Sequence, residues 1–171
     1  MSRRRVLVVA FVVYAGAIVL ANYLVGRYGL VPVGFGLLAP AGVYAAAVTF
    51  PARDIAQRSG GRFAGVLAIV VGATLSFAVS SHQIAIASGA TFLCSETLDF
   101  LVYTPLARKY FVPAVVLSGI FAAALDSWLF LHLAGIPESA FLGTFVGKLW
   151  VVCLIGGPLA LACRKRLAWS T

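Results

Sequence analysis

Charged residues are scarce in this chain, and that scarcity excludes a large class of proteins. Thirteen Lys and Arg and five Asp and Glu make up 11% of the 171 residues, whereas 62% are hydrophobic. An average soluble domain carries about 25% charged residues, so this composition cannot cover a water-facing surface. The mean hydropathy of +1.03 points the same way. The composition therefore excludes a soluble globular enzyme.

Cysteine pairs and the common catalytic motifs are also missing. The three cysteines form no CxxC pair, so we expect neither structural disulfides nor a thiolate metal site, and we predict buried, unreactive thiols at Cys94, Cys153 and Cys163. The sequence contains no GxxxxGKS or GxxxxGKT loop, no HExxH and no GxSxG. These motifs would signal ATP hydrolysis or the common intramembrane hydrolases. We therefore expect a protein without enzymatic activity, cofactor or metal.

Long uncharged runs predict an all-α integral membrane protein, a six-transmembrane-helix bundle in one domain over 1–171. At about 20 residues for each crossing, the length holds about six helices. The first run follows three arginines and is too long for a signal peptide, so we interpret it as a retained helix. The run 63–95 is too long for one helix, and the polar residues 80–83, or alternatively Ser88-Gly89, predict a turn. The predicted helices cover 6–26, 33–52, 63–81, 84–106, 111–134 and 139–162.

The placement of Lys and Arg predicts the orientation. Basic residues cluster at both termini and in alternate loops, whereas the third and fifth loops carry none. Because cytoplasmic loops are enriched in Lys and Arg, both termini are predicted in the cytoplasm, with the chain in the plasma or inner membrane. The net charge of +8 is then explained by basic residues that anchor the cytoplasmic helix ends at the membrane, and no nucleic-acid partner is expected. The clusters are Arg3–Arg5, Arg53 with Arg58 and Arg62, Arg108 with Lys109, and Arg164–Arg166.

Four ionisable residues lie inside the predicted helices: Glu96, Asp99, Asp126 and Lys148. Each costs about 2.5–3.5 kcal/mol at the centre of a membrane helix, so such groups face a bundle interior or a wet cavity. At 1.5 Å per residue, Glu96, Asp126 and Lys148 lie about 12–18 Å from the outer ends of their helices. This predicts a polar substrate site in the outer half to middle of the bundle, with Asn22 nearer the surface. The alternative is a Lys148 salt bridge, to Asp126 or Glu96, that only fixes helix packing.

Two further pairs are candidate functional residues. Phe92 shares a helix face with Glu96, and it and Trp128 are the aromatic residues that we predict to stack on a planar ligand. Arg53 and Asp54 are predicted at the cytoplasmic end of the second helix. They form either a helix-end ion pair that contributes little, or a gate or docking point for a partner.

Five short segments, in order and at matching helices, resemble the queuosine precursor transporter family, also called the vitamin uptake transporter family. The resemblance extends over nearly the whole chain. The segments are Asn22–Val25, Thr49–Ile55, Glu96–Phe100, Leu125–Ser127 and Gly147–Lys148.

The resemblance implies six helices and uptake of a 7-deazaguanine base such as 7-cyano-7-deazaguanine. It places Asn22, Asp54, Asp99, Asp126 and Lys148 on family motif positions, whereas Glu96 departs in charge where the family also carries glutamine. The chemistry is compatible, because a carboxylate such as Glu96 or Asp126 can accept from both donors of a guanine-like edge. Lys148 or Asn22 would then serve the carbonyl oxygen.

Other functions compatible with the sequence remain open. The chain could be the substrate-binding subunit of an energy-coupling vitamin transporter with separate ATPases, docked to a scaffold through small residues such as Ala17 and Ala21. It could also be a structural or pore-forming membrane protein without substrate. A homo-oligomer and a proton-carrying role for Asp99 or Glu96 are further possibilities.

Overall fold

The computed structural model describes residues 2–81 and 84–164, and almost all of them are helical. Five stretches are long and apolar enough to cross a membrane: α1, α2, α3, α4 and the continuous stretch Glu138–Cys163. That stretch comprises a short 3-10 turn, α5, a π-helical turn at Val152–Gly156, and α6. The predicted class of helical membrane protein agrees with this architecture. The elements are α1 Arg3–Tyr28, β1 Leu30–Gly34, β2 Leu37–Pro40, α2 Val43–Val79, α3 Ala85–Ala107, α4 Phe111–Ala134, α5 Phe141–Val151 and α6 Gly157–Arg164.

Helix α2 is interrupted at Gly61, where φ is +80° and ψ is −177°. This region of backbone conformation is essentially restricted to glycine. The arm before it, 43–60, lies antiparallel to α1. A Cβ at Gly42 would meet the backbone of Ala21 near the end of α1, and a Cβ at Gly60 would meet the side chain of Leu7 near its start.

The second arm, 62–79, runs back parallel to α1. The Tyr14 hydroxyl donates to the Ala68 carbonyl at 2.9 Å, and the Asn22 amide reaches the Ser76 hydroxyl at 3.4 Å. Later residues of α1 thus contact later residues of this arm, so the two run in the same direction. Helix α2 therefore consists of two arms that reverse direction at Gly61. Each arm is about 27 Å long, close to the roughly 30 Å hydrocarbon core of a bilayer.

The predicted helix 33–52 is wrong at both ends. Residues 30–40 form the antiparallel hairpin of β1 and β2, whose turn carries positive φ at Gly34, Phe35 and Gly36. A proline followed by closely spaced glycines breaks a helix, and the flanking apolar residues fit a strand equally well. At its other end the first arm of α2 continues through Pro51 to residue 60. We call the end of the bundle that carries residues 30–40 the hairpin end.

The remaining predicted boundaries agree more closely with the structure. Residues 111–134 coincide with α4, and 6–26, 84–106 and 139–162 differ from observed helical stretches by a few residues. The range 63–81 corresponds to the second arm of α2, which ends at Val79. Ser88 and Gly89 lie inside α3, so the alternative turn there is wrong, while His82 and Gln83 lie outside the described residues.

The surface is largely apolar, and many polar side chains lie in the interior beside the apolar core, which suits lipid surroundings. Large apolar side chains such as Phe63 and Leu101 are exposed, whereas many charged and polar side chains are buried. Cys94 and Cys153 are exposed on the outer faces of their helices. The prediction of buried thiols is therefore wrong at these two positions.

Two of the arginines used to orient the chain are not loop residues. Arg53 and Arg58 are buried within the first arm of α2, because the helix continues beyond residue 52. Arg58 donates to the Ala107 carbonyl at 2.8 Å, at the C-terminal end of α3 where orphan carbonyls accept such bonds. Arg62 is exposed at the start of the second arm, and Lys165 and Arg166 lie outside the described residues.

Replacing Gly61 by alanine is expected to lower the free energy of unfolding by about 1–3 kcal/mol, because a side chain is strained at this φ and ψ. The measurement is chemical denaturation of the purified protein in micelles. Gly16→Ala is the matched control, since position 16 is helical and no described atom lies within 4 Å of the added Cβ. The free energy of unfolding of this control is expected to rise by up to about 1 kcal/mol, because alanine has a higher helix propensity than glycine. Equal stability of the two variants would contradict a reversal that depends on Gly61.

Candidate functional site

A cavity opens between the helices at the hairpin end. The space between its walls, counted together with the open mouth, is about 540 Å³. Apolar residues, among them Phe92 and Phe130, form much of its wall. Its polar lining comes from all five long helical stretches and comprises Asn22, Thr49, Ser76, Ser88, Thr91, Asp126, Thr144 and Lys148.

Asp126 of α4 and Lys148 of α5 form an ion pair in the wall of this cavity. The Lys148 side chain is 3% exposed and that of Asp126 is 16% exposed. The Ser95 hydroxyl of α3 donates to the other carboxylate oxygen of Asp126 at 3.0 Å. The pair therefore joins three helices, and the ammonium group retains hydrogens that can donate to a ligand. Of the two salt bridges considered from the sequence, Lys148 makes the one to Asp126.

Asn22 lines the cavity but is fully engaged by the protein. Its amide nitrogen donates to the Ile18 carbonyl at 3.0 Å and to Ser76 at 3.4 Å. Its amide oxygen accepts from Ser80 at 2.5 Å and from Ser88 at 2.8 Å. These contacts use the two donors and the two acceptor positions of the amide. Asn22 thus ties α1 to α2 and α3, and these contacts leave no hydrogen-bonding position of its amide for a ligand.

The two predicted aromatic residues are placed differently. Phe92 is 9% exposed, lines the cavity and packs edge-on against Tyr14, with ring centroids 5.9 Å apart. Trp128 is 52% exposed and stacks on His132 outside the cavity. Trp128 follows Asp126 by two residues, which turns it by about 200° around the helix. The structure therefore places Trp128 outside the cavity.

Deeper in the bundle, Arg53 makes ion pairs with three carboxylates. Its Nη2 lies 2.9 Å from Asp54 Oδ1 and 2.5 Å from Asp99 Oδ2, and its Nε lies 3.2 Å from Glu96 Oε2. All four side chains are fully buried. We call these four residues the arginine cluster. The alternatives of an exposed helix-end pair and of a partner-docking point at Arg53 and Asp54 are thus wrong, because neither side chain is accessible.

Neutral side chains complete the surroundings of the guanidinium. Arg53 Nη1 donates to Gln57 Oε1 at 2.8 Å, and the Gln57 amide donates to Thr104 at 2.9 Å. The rings of Phe100 and Tyr103 lie 6.0 and 5.4 Å from the guanidinium carbon, within cation–π range. The Arg53 side chain is therefore held from two helices, α2 and α3.

The cavity and the arginine cluster are adjacent but separate. Neither Glu96 nor Asp99 is among the described residues that line the cavity. The single polar site predicted from the sequence therefore corresponds to two separate sites in the structure. Thr49 and Phe92 of the cavity wall precede Arg53 and Glu96 by four residues each. One helical turn, about 6 Å, separates the two sites along each helix.

Several polar residues that complete the cavity and the arginine cluster carry no strong sequence signal. Thr91 lines the cavity with a buried hydroxyl that has no hydrogen-bond partner among the described residues. Ser95 orients Asp126, and Gln57 holds Arg53. Neutral polar residues are common in membrane helices, so these three do not stand out. Their helical spacing from charged residues, such as Gln57 four after Arg53, is the signal that could have found them.

Comparison with known proteins gives no match: no family model, no curated protein and no solved structure is similar to this chain. The assignment of a family therefore has no support beyond the five short segments of the resemblance.

Arg53→Gln is expected to lower the free energy of unfolding by about 3–5 kcal/mol, because it leaves three buried carboxyl groups without a cation. The double variant Arg53→Gln/Asp99→Asn is expected to recover part of that loss. Thermal and chemical denaturation in micelles measure both. Arg27→Gln, at an exposed arginine, is the control and is expected to change little. A melting curve of Arg53→Gln that matches the wild type would contradict the claim that Arg53 stabilises the buried carboxyl groups.

Proposed function

We propose that the chain is a membrane importer of a 7-deazaguanine base, such as 7-cyano-7-deazaguanine, bound in the cavity at the hairpin end. The observation that carries the proposal is the Asp126–Lys148 pair in the wall of an open cavity. A charged pair inside a membrane protein is costly and ordinarily marks a substrate or ion pathway. The resemblance to queuosine precursor transporters supplies the class of substrate.

The groups of the cavity are complementary to such a base. A guanine-like edge presents adjacent N–H and NH₂ donors, and the Asp126 carboxylate accepts both once Lys148 turns toward the substrate. Lys148 then donates to the carbonyl oxygen of the base. Thr91 contributes an unpaired hydroxyl, and Phe92 an aromatic edge. An analogue without the donor edge would leave Asp126 unsatisfied, which is a strong basis for discrimination.

We further propose six crossings, with both termini in the cytoplasm and the hairpin end facing outward. The reversal at Gly61 supports this count, because each arm of α2, at about 27 Å, is nearly as long as the hydrocarbon core of a bilayer is thick. The two arms, α1, α3, α4 and the stretch Glu138–Cys163 then make six. An even number of crossings places both chain ends on one side.

The buried arginine cluster favours a transporter over a pore. It lies one turn below the cavity and is packed without exposed side-chain surface. A static pore requires a continuous wet path, whereas a cavity closed on one side suits alternating access.

The energy-coupling subunit is less well supported as an alternative. Ala17 and Ala21 are 8% and 9% exposed and pack inside the chain. A Cβ at Gly42 would meet the Ala21 backbone, so α2 already occupies this face of α1. The small-residue pair is therefore not available to a scaffold subunit.

The test is binding and exchange of 7-cyano-7-deazaguanine by the purified protein in proteoliposomes. Asp126→Asn and Lys148→Met are each expected to weaken binding by about 10- to 100-fold, since a charge-assisted hydrogen bond is worth roughly 1.5–3 kcal/mol. Exchange of internal for external labelled base is expected to fall in parallel. Titration calorimetry measures the affinity, and trapped label measures the exchange.

Trp128→Leu is the matched control, because this residue lies two positions from Asp126 but outside the cavity. It is expected to bind and exchange the base like the wild type. Wild-type exchange in both cavity variants, or its loss in Trp128→Leu alone, would reject the site. Release of preloaded label without external substrate, with a flux that rises linearly with label concentration and does not saturate, would indicate a pore.

A further inference from the structure

The arginine cluster contains more acid than base. Asp54, Glu96 and Asp99 surround one guanidinium, and all four side chains are fully buried. Arginine stays protonated in proteins and compensates one negative charge. Two further carboxylates would leave a net charge of −2 in a medium where an unpaired ion costs several kcal/mol, so a buried carboxyl is held neutral by a proton instead.

The heavy-atom geometry leaves positions for these protons. Arg53 Nη2 is the ion-pair contact of Asp54 Oδ1 and Asp99 Oδ2. The oxygens Asp54 Oδ2, Asp99 Oδ1 and Glu96 Oε1 accept no hydrogen bond of good geometry within the described residues. Ser118 of α4 is buried beside Asp54 and Asp99, within hydrogen-bonding reach of both carboxyl groups. A carboxyl oxygen that lacks a donor can become a donor itself when protonated. The cluster therefore contains carboxyl oxygens that can carry a proton.

No second cation of the described chain neutralises the cluster. Arg58, the other buried arginine of α2, turns instead to the Ala107 carbonyl and the Phe111 ring. The titratable groups that face the three carboxyls come from α1, α2 and α3 and are Tyr14, Arg53, Tyr103 and the carboxyls themselves. Lys148 is engaged by Asp126.

We propose that the arginine cluster is a proton-binding site that couples import of the base to inward movement of a proton. This inference rests on the proposed importer. A proton from the outer solution binds a carboxyl group that Arg53 does not neutralise, and the same proton leaves to the cytoplasm when the base is delivered. No bond in the base breaks, and one proton enters with each molecule.

A proton fits this site better than a metal cation. The guanidinium already occupies the centre, with Nη2 between Asp54 and Asp99. Among residues 2–81 and 84–164, no group of three or more His, Cys, Asp or Glu is arranged to hold a metal ion. A proton needs no coordination shell.

The position of the cluster suits coupling. Thr49 and Phe92 connect the cavity wall to Arg53 and Glu96, one turn further along the same two helices. A base that draws Lys148 away from Asp126 also alters the hydrogen bond from Ser95, the residue before Glu96. Occupation of the cavity and protonation of the cluster thus act on the same segment of α3.

The test uses wild-type protein in proteoliposomes with 7-cyano-7-deazaguanine and an acidic outside, with the membrane potential clamped. A gradient of one pH unit is expected to give about tenfold accumulation for one proton per base. A trapped pH indicator is expected to report acidification of the interior when the base is added. Collapse of the gradient with a proton–cation exchanger is expected to return accumulation to about onefold.

Asp99→Asn is expected to lose gradient-driven accumulation while still exchanging internal for external base, because an amide imitates the protonated carboxyl. Asp54→Asn is the second variant, should the first not fold. Glu138→Gln, at a carboxylate whose side chain is 75% exposed, is the control and should accumulate the base like the wild type.

The outcomes separate this inference from the function on which it rests. Absence of exchange in wild-type protein without a gradient would reject the importer itself. Exchange that is unaffected by the pH gradient, or accumulation driven by a sodium gradient, would leave the importer intact and overturn proton coupling. Gradient-driven accumulation that persists in both Asn variants would overturn the assignment to this cluster.

Discussion

The Arg53 guanidinium is the contact on which the rest of the structure depends. It joins carboxylates from α2 and α3 in a region without exposed side-chain surface. An unpaired charge at this depth costs several kcal/mol, so the helices that carry its partners cannot separate independently. The reversal at Gly61 and the cross-helix bonds of Asn22 then place α1 and both arms of α2 around the same interior.

This constraint also divides the polar interior into two sites. The Asp126–Lys148 pair balances its own charge and borders an open cavity, as a site for a polar, planar ligand requires. The arginine cluster is closed and has an excess of acid. A balanced open site next to an unbalanced closed site is compatible with the proposed coupled carrier, in which substrate and proton are assigned to different groups that share helices.

The sequence predicts the apolar elements better than the polar ones. Residues 111–134 are assigned correctly because nothing within the run competes with a helix, whereas 33–52 is misassigned because its apolar residues fit a strand as well. Asp126 and Lys148 are recognised because a charge within an apolar run is conspicuous. Arg53 is misplaced because basic residues near the end of an apolar run ordinarily mark an interface. Its burial depends on carboxylates 43 and 46 residues away, and such pairings are decided by tertiary structure.

The central claim is that the cavity binds one 7-deazaguanine base per chain. Titration calorimetry of purified wild-type protein with 7-cyano-7-deazaguanine tests it most directly, with adenine as the competitor that lacks the guanine-like donor edge. We expect saturable binding at one site per chain and no displacement by adenine. Absence of binding heat together with no thermal stabilisation by the base, or equal binding of adenine, would contradict it.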